Sequence, residues 1–216
     1  MNENNTTVVI CCAGMGTRLG IGLPKALVSI DNKPLILHQL EMLKNFSDIR
    51  IVVGYQADKV IEVVNSFRKD ITYVFNYDFE NTGPAESLSR SLIGAKEYIL
   101  SIGGDIIMSQ KDFDALIKEN EFIAYTDISS KEPCIINVKG GNILSFNNSY
   151  GNYEWQGILK VKKDKLIKKR KYIYEMIESY LPMRGVYVKS REIDTQDDYE
   201  MAINFYNNYI INKEEI

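Results

Sequence analysis

Histidine and cysteine are scarce in this chain. One histidine, His38, and three cysteines, Cys11, Cys12 and Cys134, occur in 216 residues. No Cys/His set has zinc-site spacing, and an odd, sparse cysteine set argues against a disulfide framework and for a reducing compartment. Cys11 and Cys12 end an apolar run, where a small buried hydrophobe is the plain expectation. The sequence has no basic excess either. Its formal net charge is −3, whereas a dedicated nucleic-acid binder carries a positive balance. Any anionic ligand must therefore be held by a local cluster of cations. The polar opening, Met1 to Thr7, lacks the basic start and apolar stretch of a signal peptide. No apolar run is long enough to cross a bilayer. Together these absences lead us to expect a cytoplasmic protein that binds neither nucleic acid nor membrane.

What is present is an ordinary globular composition, 45% hydrophobic and 25% charged, sufficient for a real core. The first half alternates strand-like and helix-like segments. Strands are expected at Thr7 to Cys12, Ile49 to Val53, Ile71 to Phe75, Tyr98 to Ile102 and Phe122 to Tyr125. Helices are expected at Pro34 to Phe46, Ala57 to Phe67, Pro84 to Lys96 and Ser109 to Glu119, the last with Asp112 completing a capping box. The second half reads as short strands from Pro133 to Val161, a helix from Leu166 to Tyr180 and a strand from Gly185 to Val188. A final helix is capped by Thr195 with Asp198. This pattern predicts an α/β, Rossmann-like three-layer sandwich around a mostly parallel mixed sheet, with a small β-rich lobe. We read one domain in two parts, residues 1–130 and residues 131–216, the second ending in a closing helix. Ligands of such sheets bind at the carboxyl ends of the strands, where both glycine-rich stretches fall.

The first stretch is Ala13-Gly14-Met15-Gly16-Thr17-Arg18-Leu19-Gly20. Glycines let backbone N–H groups approach phosphate oxygens. A G-x-G pair alone has little specificity, and neither the Walker pattern nor the dinucleotide pattern is completed. Arg18 inside the loop and Lys25 just beyond it add two cations to the bed of amides, as a triphosphate site requires. The competing reading is a tight turn with two solvated cations. The second stretch, Gly103-Gly104-Asp105, places a carboxylate at a strand end, suited to a magnesium ion. Its competitor is a turn carboxylate. Asp194, before the cap Thr195, could reach the same crevice. Glu192, Asp197 and Asp198 stand close by.

The string Ala13 to Leu19, followed by Pro24-Lys25-Ala26-Leu27, resembles the opening motif of the sugar-phosphate nucleotidyltransferase superfamily. The resemblance continues through Pro34-Leu35-Ile36, Val53-Gly54-Tyr55, Gly103-Gly104-Asp105 and Glu192-Ile193-Asp194-Thr195, in order along nearly the whole chain. It implies a nucleotide-binding part over residues 1–130 and an acceptor-binding part, the β-rich acceptor lobe, over 131–216, with magnesium held by Asp105 and Asp194, Arg18 on the triphosphate, and Lys25 on the α-phosphate and the attacking group. Asn76 and Gly83 would meet the base, although this chain has Gly83-Pro84-Ala85 where many sugar enzymes have Gly-Thr-Ala. The missing Asp-x-Asp, with Ile106-Ile107 after Asp105, weighs against glycosyl transfer. The compact length, the Phe75-Asn76 pair and the Glu-Ile-Asp-Thr ending are most similar to small cytidylyltransferases. These join CMP from CTP to a phosphorylated or phosphonate acceptor for a cell-surface polymer or lipid. The alternatives are a sugar-1-phosphate uridylyl- or thymidylyltransferase and a non-catalytic nucleotide-sensing subunit.

The segment Tyr150 to Gly157, with Glu154 and Trp155, is a candidate wall of the acceptor pocket. An aromatic cage there suits a quaternary ammonium group, while strand packing is the simpler reading. The basic run Lys160 to Lys171 reads first as a solvated helix face, with Lys160 kept as a candidate acceptor contact. A homodimer is compatible with the sequence but not called for by it.

Overall fold

The computed structural model describes residues 3–147, 149–166 and 170–211. Its strands, in chain order, are β1 (Thr6–Cys12), β2 (Ser29–Ile30), β3 (Lys33–Pro34), β4 (Ile49–Val53), β5 (Ile71–Phe75), β6 (Tyr98–Gly103), β7 (Ile106–Met108), β8 (Phe122–Thr126), β9 (Ile135–Lys139), β10 (Asn142–Asn147), β11 (Tyr153–Lys162), β12 (Met183–Tyr187) and β13 (Ser190–Glu192). The α-helices are α1 (Leu35–Met42), α2 (Ala57–Phe67), α3 (Pro84–Arg90), α4 (Gln110–Leu116), α5 (Ile173–Ile177) and α6 (Gln196–Phe205).

Nine strands form one sheet in the order β5-β4-β1-β6-β11-β8-β12-β10-β9. β5, β4, β1 and β6 are mutually parallel. β11 runs antiparallel to both β6 and β8, and β12 is parallel to β8. Successive residues of β1 face opposite sides, so Val8 and Ile10 enter one core while Val9 enters the other. The first core takes the apolar stripes of α1, α2 and α4, including Leu40, Val60, Val64 and Phe113. The second takes Leu88 of α3 and Met176 and Ile177 of α5. Helices thus cover both faces of a buried sheet, the three-layer arrangement expected of alternating β and α segments.

Several expectations are corrected. The helix expected over Pro84 to Lys96 ends at Arg90, and Gly94 turns the chain at φ +66. The helix expected over Leu166 to Tyr180 is confined to α5 and a 3-10 turn over Glu178–Tyr180; its residues 167–169 lie outside the described residues. The α5 entrance is fixed by Glu175, whose Oε2 accepts from the Lys171 and Tyr172 N–H groups at 3.0 Å each. The basic run forms no α-helix where it is described; Lys163–Lys165 make a single 3-10 turn. Lys160–Lys162 end β11, Lys162 pairs with Glu97 at 3.4 Å, and Lys165 pairs with Glu121 at 2.8 Å. Lys168 and Lys169 lie outside the described residues.

The β-rich part is continuous with the main sheet. β11 belongs to the second half of the chain yet lies between β6 and β8 in the middle of the sheet. It reaches β9 with Tyr153 and Glu154, then bends at a bulge between Trp155 and Leu159, where Gly157 has φ +67. Bulges re-aim strands near sites in this way. A second feature, absent from the local sequence pattern, is the antiparallel ribbon of β13 with β7, which pairs Glu192 with Ile106.

Candidate functional site

The carboxyl ends of β1 and β6 meet below the glycine loop. Gly104 crosses the end of β1, its N–H donating to the Cys11 carbonyl at 3.1 Å. A Cβ on Gly104 would stand 2.7 Å from the Cys12 sulfur, so a glycine is required for this crossing. The turn is held from below by Gln39 of α1, fully buried, whose Nε2 donates to the carbonyls of Gly103 and Ile106 at 2.8 Å each. From above, the Ile193 N–H donates to the Asp105 carbonyl at 2.9 Å. Asp105 is thereby presented at a fixed point in the crevice.

Lys25 faces it. Its Nζ lies 2.9 Å from Asp105 Oδ2 and also bonds Asp194 Oδ1. Gly16, in the left-handed region at φ +62, passes so close that a Cβ would meet Lys25 Cγ at 2.9 Å. The glycine loop therefore folds over the Lys25 stem. Arg18 lies 2.8 Å from Asp194 Oδ2 and 2.9 Å from Glu132 Oε2. The structure thus gathers Arg18, Lys25, Asp105 and Asp194, drawn from widely separated parts of the sequence, into one cluster.

Glu192 joins them. Ligand oxygens of Asp105, Glu192 and Asp194 all fall within 4.8 Å of one another. Burial, with the nearby Asp105 charge, pushes the Glu192 carboxyl up to about 8. Sequence reasoning placed Glu192 only as a competitor of Asp194; its pairing with Ile106, next to Asp105, is what brings it in. Three neighbouring carboxylates, two of them bonded to the Lys25 ammonium, form a hard-oxygen donor set. That set suits magnesium, which takes one or two carboxylates together with phosphate and water. The cysteines are poor nucleophiles here. Burial, with the Asp105 charge, pushes the Cys11 thiol up to about 12, and burial with Glu192 and Glu154 does the same to Cys134.

Two adjoining cavities open on the cluster. The first, about 360 Å³, is lined by Ala13, Gly14, Gly16, Thr17, Arg18, Lys25 and Asp105, and at its far end by Asn76, Thr82, Gly83 and Ser87. Met15, Leu19 and Gly20 of the glycine string do not line it. The second, about 880 Å³, shares Arg18, Pro84 and Asp105 with the first and adds Glu132, Cys134, Trp155, Tyr172, Tyr174 and Glu192. Trp155 and Tyr174 stand edge to face at 6.1 Å, and Tyr172 stacks on Tyr174 at 5.6 Å.

Two expected acceptor contacts, Glu154 and Lys160, lie outside both cavities, and the two expected base contacts, Asn76 and Gly83, line the first while also carrying structural duties. Asn76 lines the first cavity, but its Nδ2 already donates to Thr82 Oγ1 at 2.9 Å and Ser87 Oγ at 3.1 Å. Its Oδ1 accepts from the Asp78 N–H at 3.2 Å. It shapes the pocket and leaves Thr82 and Ser87 as the hydroxyls beside it. A Cβ on Gly83 would fall 2.1 Å from the Lys171 carbonyl oxygen, so this glycine is needed for the α5 entrance to pack there as well as for space. Glu154 does not line either cavity. It is buried and accepts from the N–H groups of Ser129 and Ser130 at 3.1 Å, from both serine hydroxyls, and from Gln156 Nε2 at 2.6 Å. It anchors the loop that carries Glu132 and Cys134 to the second cavity. Lys160 is at the wrong end of the sheet. It is 3% exposed, with Nζ 3.5 Å from the Glu119 carbonyl and over the Tyr98 ring at the start of β6. Trp155 alone of these second-half candidates lies in the cavity wall.

A family model for the MobA-like NTP transferase domain matches residues 8–140. Among curated proteins, the bifunctional protein GlmU of Methanococcus maripaludis (strain C7) is 34% identical over 116 residues, covering 52% of this chain and 28% of that protein. GlmU of Campylobacter curvus is 25% identical over 145 residues, covering 65% and 33%. The chain spans about a third of the length of these curated relatives. Among solved structures, the CTP:phosphocholine cytidylyltransferase of Streptococcus pneumoniae, LicC, superposes with a TM-score of 0.74 at 21% identity, covering 93% of this chain and 99% of that one. The inositol-1-phosphate CTP transferase of T. maritima gives 0.76 at 17% identity, covering 95% and 97%. Likenesses at this identity establish the fold.

Proposed function

Because the chain belongs to the MobA-like NTP transferase domain family, whose model covers residues 8–140, we propose that it transfers CMP from CTP to a small phosphorylated or phosphonate acceptor and releases pyrophosphate. The observation that carries this reading is the junction of the two cavities. Arg18 and Asp105 line both a glycine-lined cavity and a larger aromatic one, and Lys25, bonded to Asp105, lines the first. A triphosphate laid along the loop amides presents its α-phosphorus there, and an acceptor phosphate enters from the other side.

Each residue then has a task. The glycine-loop N–H groups and Arg18 bind triphosphate oxygens. Lys25 turns from its carboxylate partners to the α-phosphate and the incoming oxygen, offsetting charge that develops during displacement. Asp105 and Asp194, with Glu192 beside them, would hold a magnesium ion, which when bound supplies positive charge to the phosphate oxygens. The acceptor phosphate has a second pKa of about 6 and is already anionic near neutral pH. It attacks in line without a general base, consistent with the neutral thiols of Cys11 and Cys134. Positioning of two bound anions provides the rest of the rate gain.

The choice of CTP is supported by the names of the two superposed transferases, which both give CTP as a substrate. The acceptor cavity combines Trp155, Tyr172 and Tyr174 with the Glu132 carboxylate, a wall that suits a cationic head group. The product would be an activated head-group precursor for a surface polymer or lipid. The test is pyrophosphate release with magnesium, giving CTP, UTP, dTTP, ATP and GTP in turn against phosphocholine, glycerol phosphates, aminoethylphosphonate and sugar 1-phosphates. Acceptor-dependent release with CTP supports the reading. Preference for UTP or dTTP with a sugar 1-phosphate replaces it with sugar activation. Nucleotide binding without release under any pairing points to a sensor.

A further inference from the structure

A third cavity, about 480 Å³, opens on the other side of β13, between the β12–β13 segment and α6. The chain alternates strictly there. Val188 and Ser190 are fully buried, so Tyr187, Lys189 and Arg191 point together to the cavity side, as the two-residue period of extended chain requires. Lys189 Nζ stands over the Tyr209 ring at 4.8 Å, and the Arg191 guanidinium over the Phe205 ring at 5.3 Å. Phe205 and Tyr209 are themselves stacked at 5.1 Å. Two cations are thus held side by side on a rigid aromatic floor. Among the described residues neither forms a salt bridge, the Arg191 side chain donating only to the Ser190 carbonyl at 2.8 Å. The carboxylate in the same cavity, Asp127, already accepts from the Tyr187 hydroxyl at 2.8 Å. Asn204 and Asn208, four residues apart on α6 and the helical turn after it, supply amide donors and acceptors from the opposite wall.

We propose that this cavity is a second ligand site, separate from the transfer site, which binds a phosphorylated small molecule of about mononucleotide size. An arginine fork beside a lysine point charge suits a phosphate monoester. Cations already positioned by ring contacts lose little freedom when the anion arrives. The volume falls in the range of about 300–1,000 Å³ typical of small-molecule sites and exceeds what an inorganic ion needs.

The test is equilibrium dialysis of labelled CMP, and separately of labelled glycerol 3-phosphate, against the whole chain and its Lys25→Ala, Arg191→Ala and Lys189→Glu variants. Melting temperatures check that each variant is folded, and Lys189→Glu reverses a charge on an exposed residue without disturbing the core. The inference expects a site whose affinity falls at least about tenfold in Arg191→Ala and Lys189→Glu but is unchanged in Lys25→Ala, equivalent to about 1.4 kcal/mol. It also expects inorganic phosphate to compete only at higher concentration. If CMP binds solely at a site lost in Lys25→Ala, or if neither probe binds at millimolar concentration, the inference is wrong. Inorganic phosphate binding as tightly as both probes also overturns it. A groove site without a Lys25-dependent site would uphold this inference while counting against the proposed transfer reaction.

Discussion

The first and second cavities meet at Asp105 but are made of different materials. The first draws most of its wall from one short loop after β1 and adds the segment from Asn76 to Ser87. On the proposed reading, backbone amides and two cations would bind phosphates there, a chemistry general to any triphosphate. The second is assembled from side chains on separate segments, the 131–134 loop, β11, the α5 entrance and β13. On the same reading its selectivity would rest on rings and carboxylates whose positions depend on distant supports, such as Glu154 beneath the loop and the Gly83–Lys171 contact beneath α5. One architecture can thus keep its reaction constant while the acceptor wall changes residue by residue.

The comparison can be broken or sharpened by substitution. Lys25→Ala should have the largest effect, lowering kcat by about 10²–10³-fold, the loss typical of removing one preorganised charge-stabilising group; steady-state pyrophosphate release measures it. A loss confined to KM would place Lys25 in uniform binding instead. Trp155→Ala should raise the acceptor KM about 5- to 30-fold, corresponding to about 1–2 kcal/mol of ring contact, with the CTP KM unmoved. Equal changes in both would mean that the two cavities are not separable. Glu154→Gln should cost about 1–3 kcal/mol of stability, because the half-buried Ser129 and Ser130 N–H groups lose the charge of their buried acceptor. Chemical denaturation measures that loss, and a moderate rise in acceptor KM should accompany it. Lys160→Met should leave both KM values unchanged. Burial lowers the Lys160 pKa from 10.5, so approaching that pH the unfolded chain holds more protons than the folded one. Stability should therefore gain a rising contribution with pH there, and Met should remove it.

Much of the first cavity was legible in the sequence because its parts are local. A β-branched strand, a glycine string, Arg18, Lys25 and the Gly-Gly-Asp turn all lie in short continuous segments. The caps Ser109 and Thr195 were legible for the same reason, each accepting from the N–H three residues on. The acceptor side was less so, because long-range pairing decides it. Nothing near Glu192 announces that β13 will pair with β7 and make it the third carboxylate. Glu154 and Lys160 lie on the strand that brings Trp155 and Gly157 to the second cavity, and only the bulge at Gly157 and the reversed insertion of β11 determine where each side chain ends. Nothing in the local pattern of α1 marks Gln39, which clamps the Asp105 turn through the Gly103 and Ile106 carbonyls.

The most direct measurement follows the α-phosphorus. Incubating α-³²P-labelled CTP with magnesium and an acceptor of the panel should move label into a CMP–acceptor conjugate in equal amount to the pyrophosphate released, and Asp105→Asn should abolish both. Label recovered as free CMP, or conjugate formed without pyrophosphate, would contradict the account.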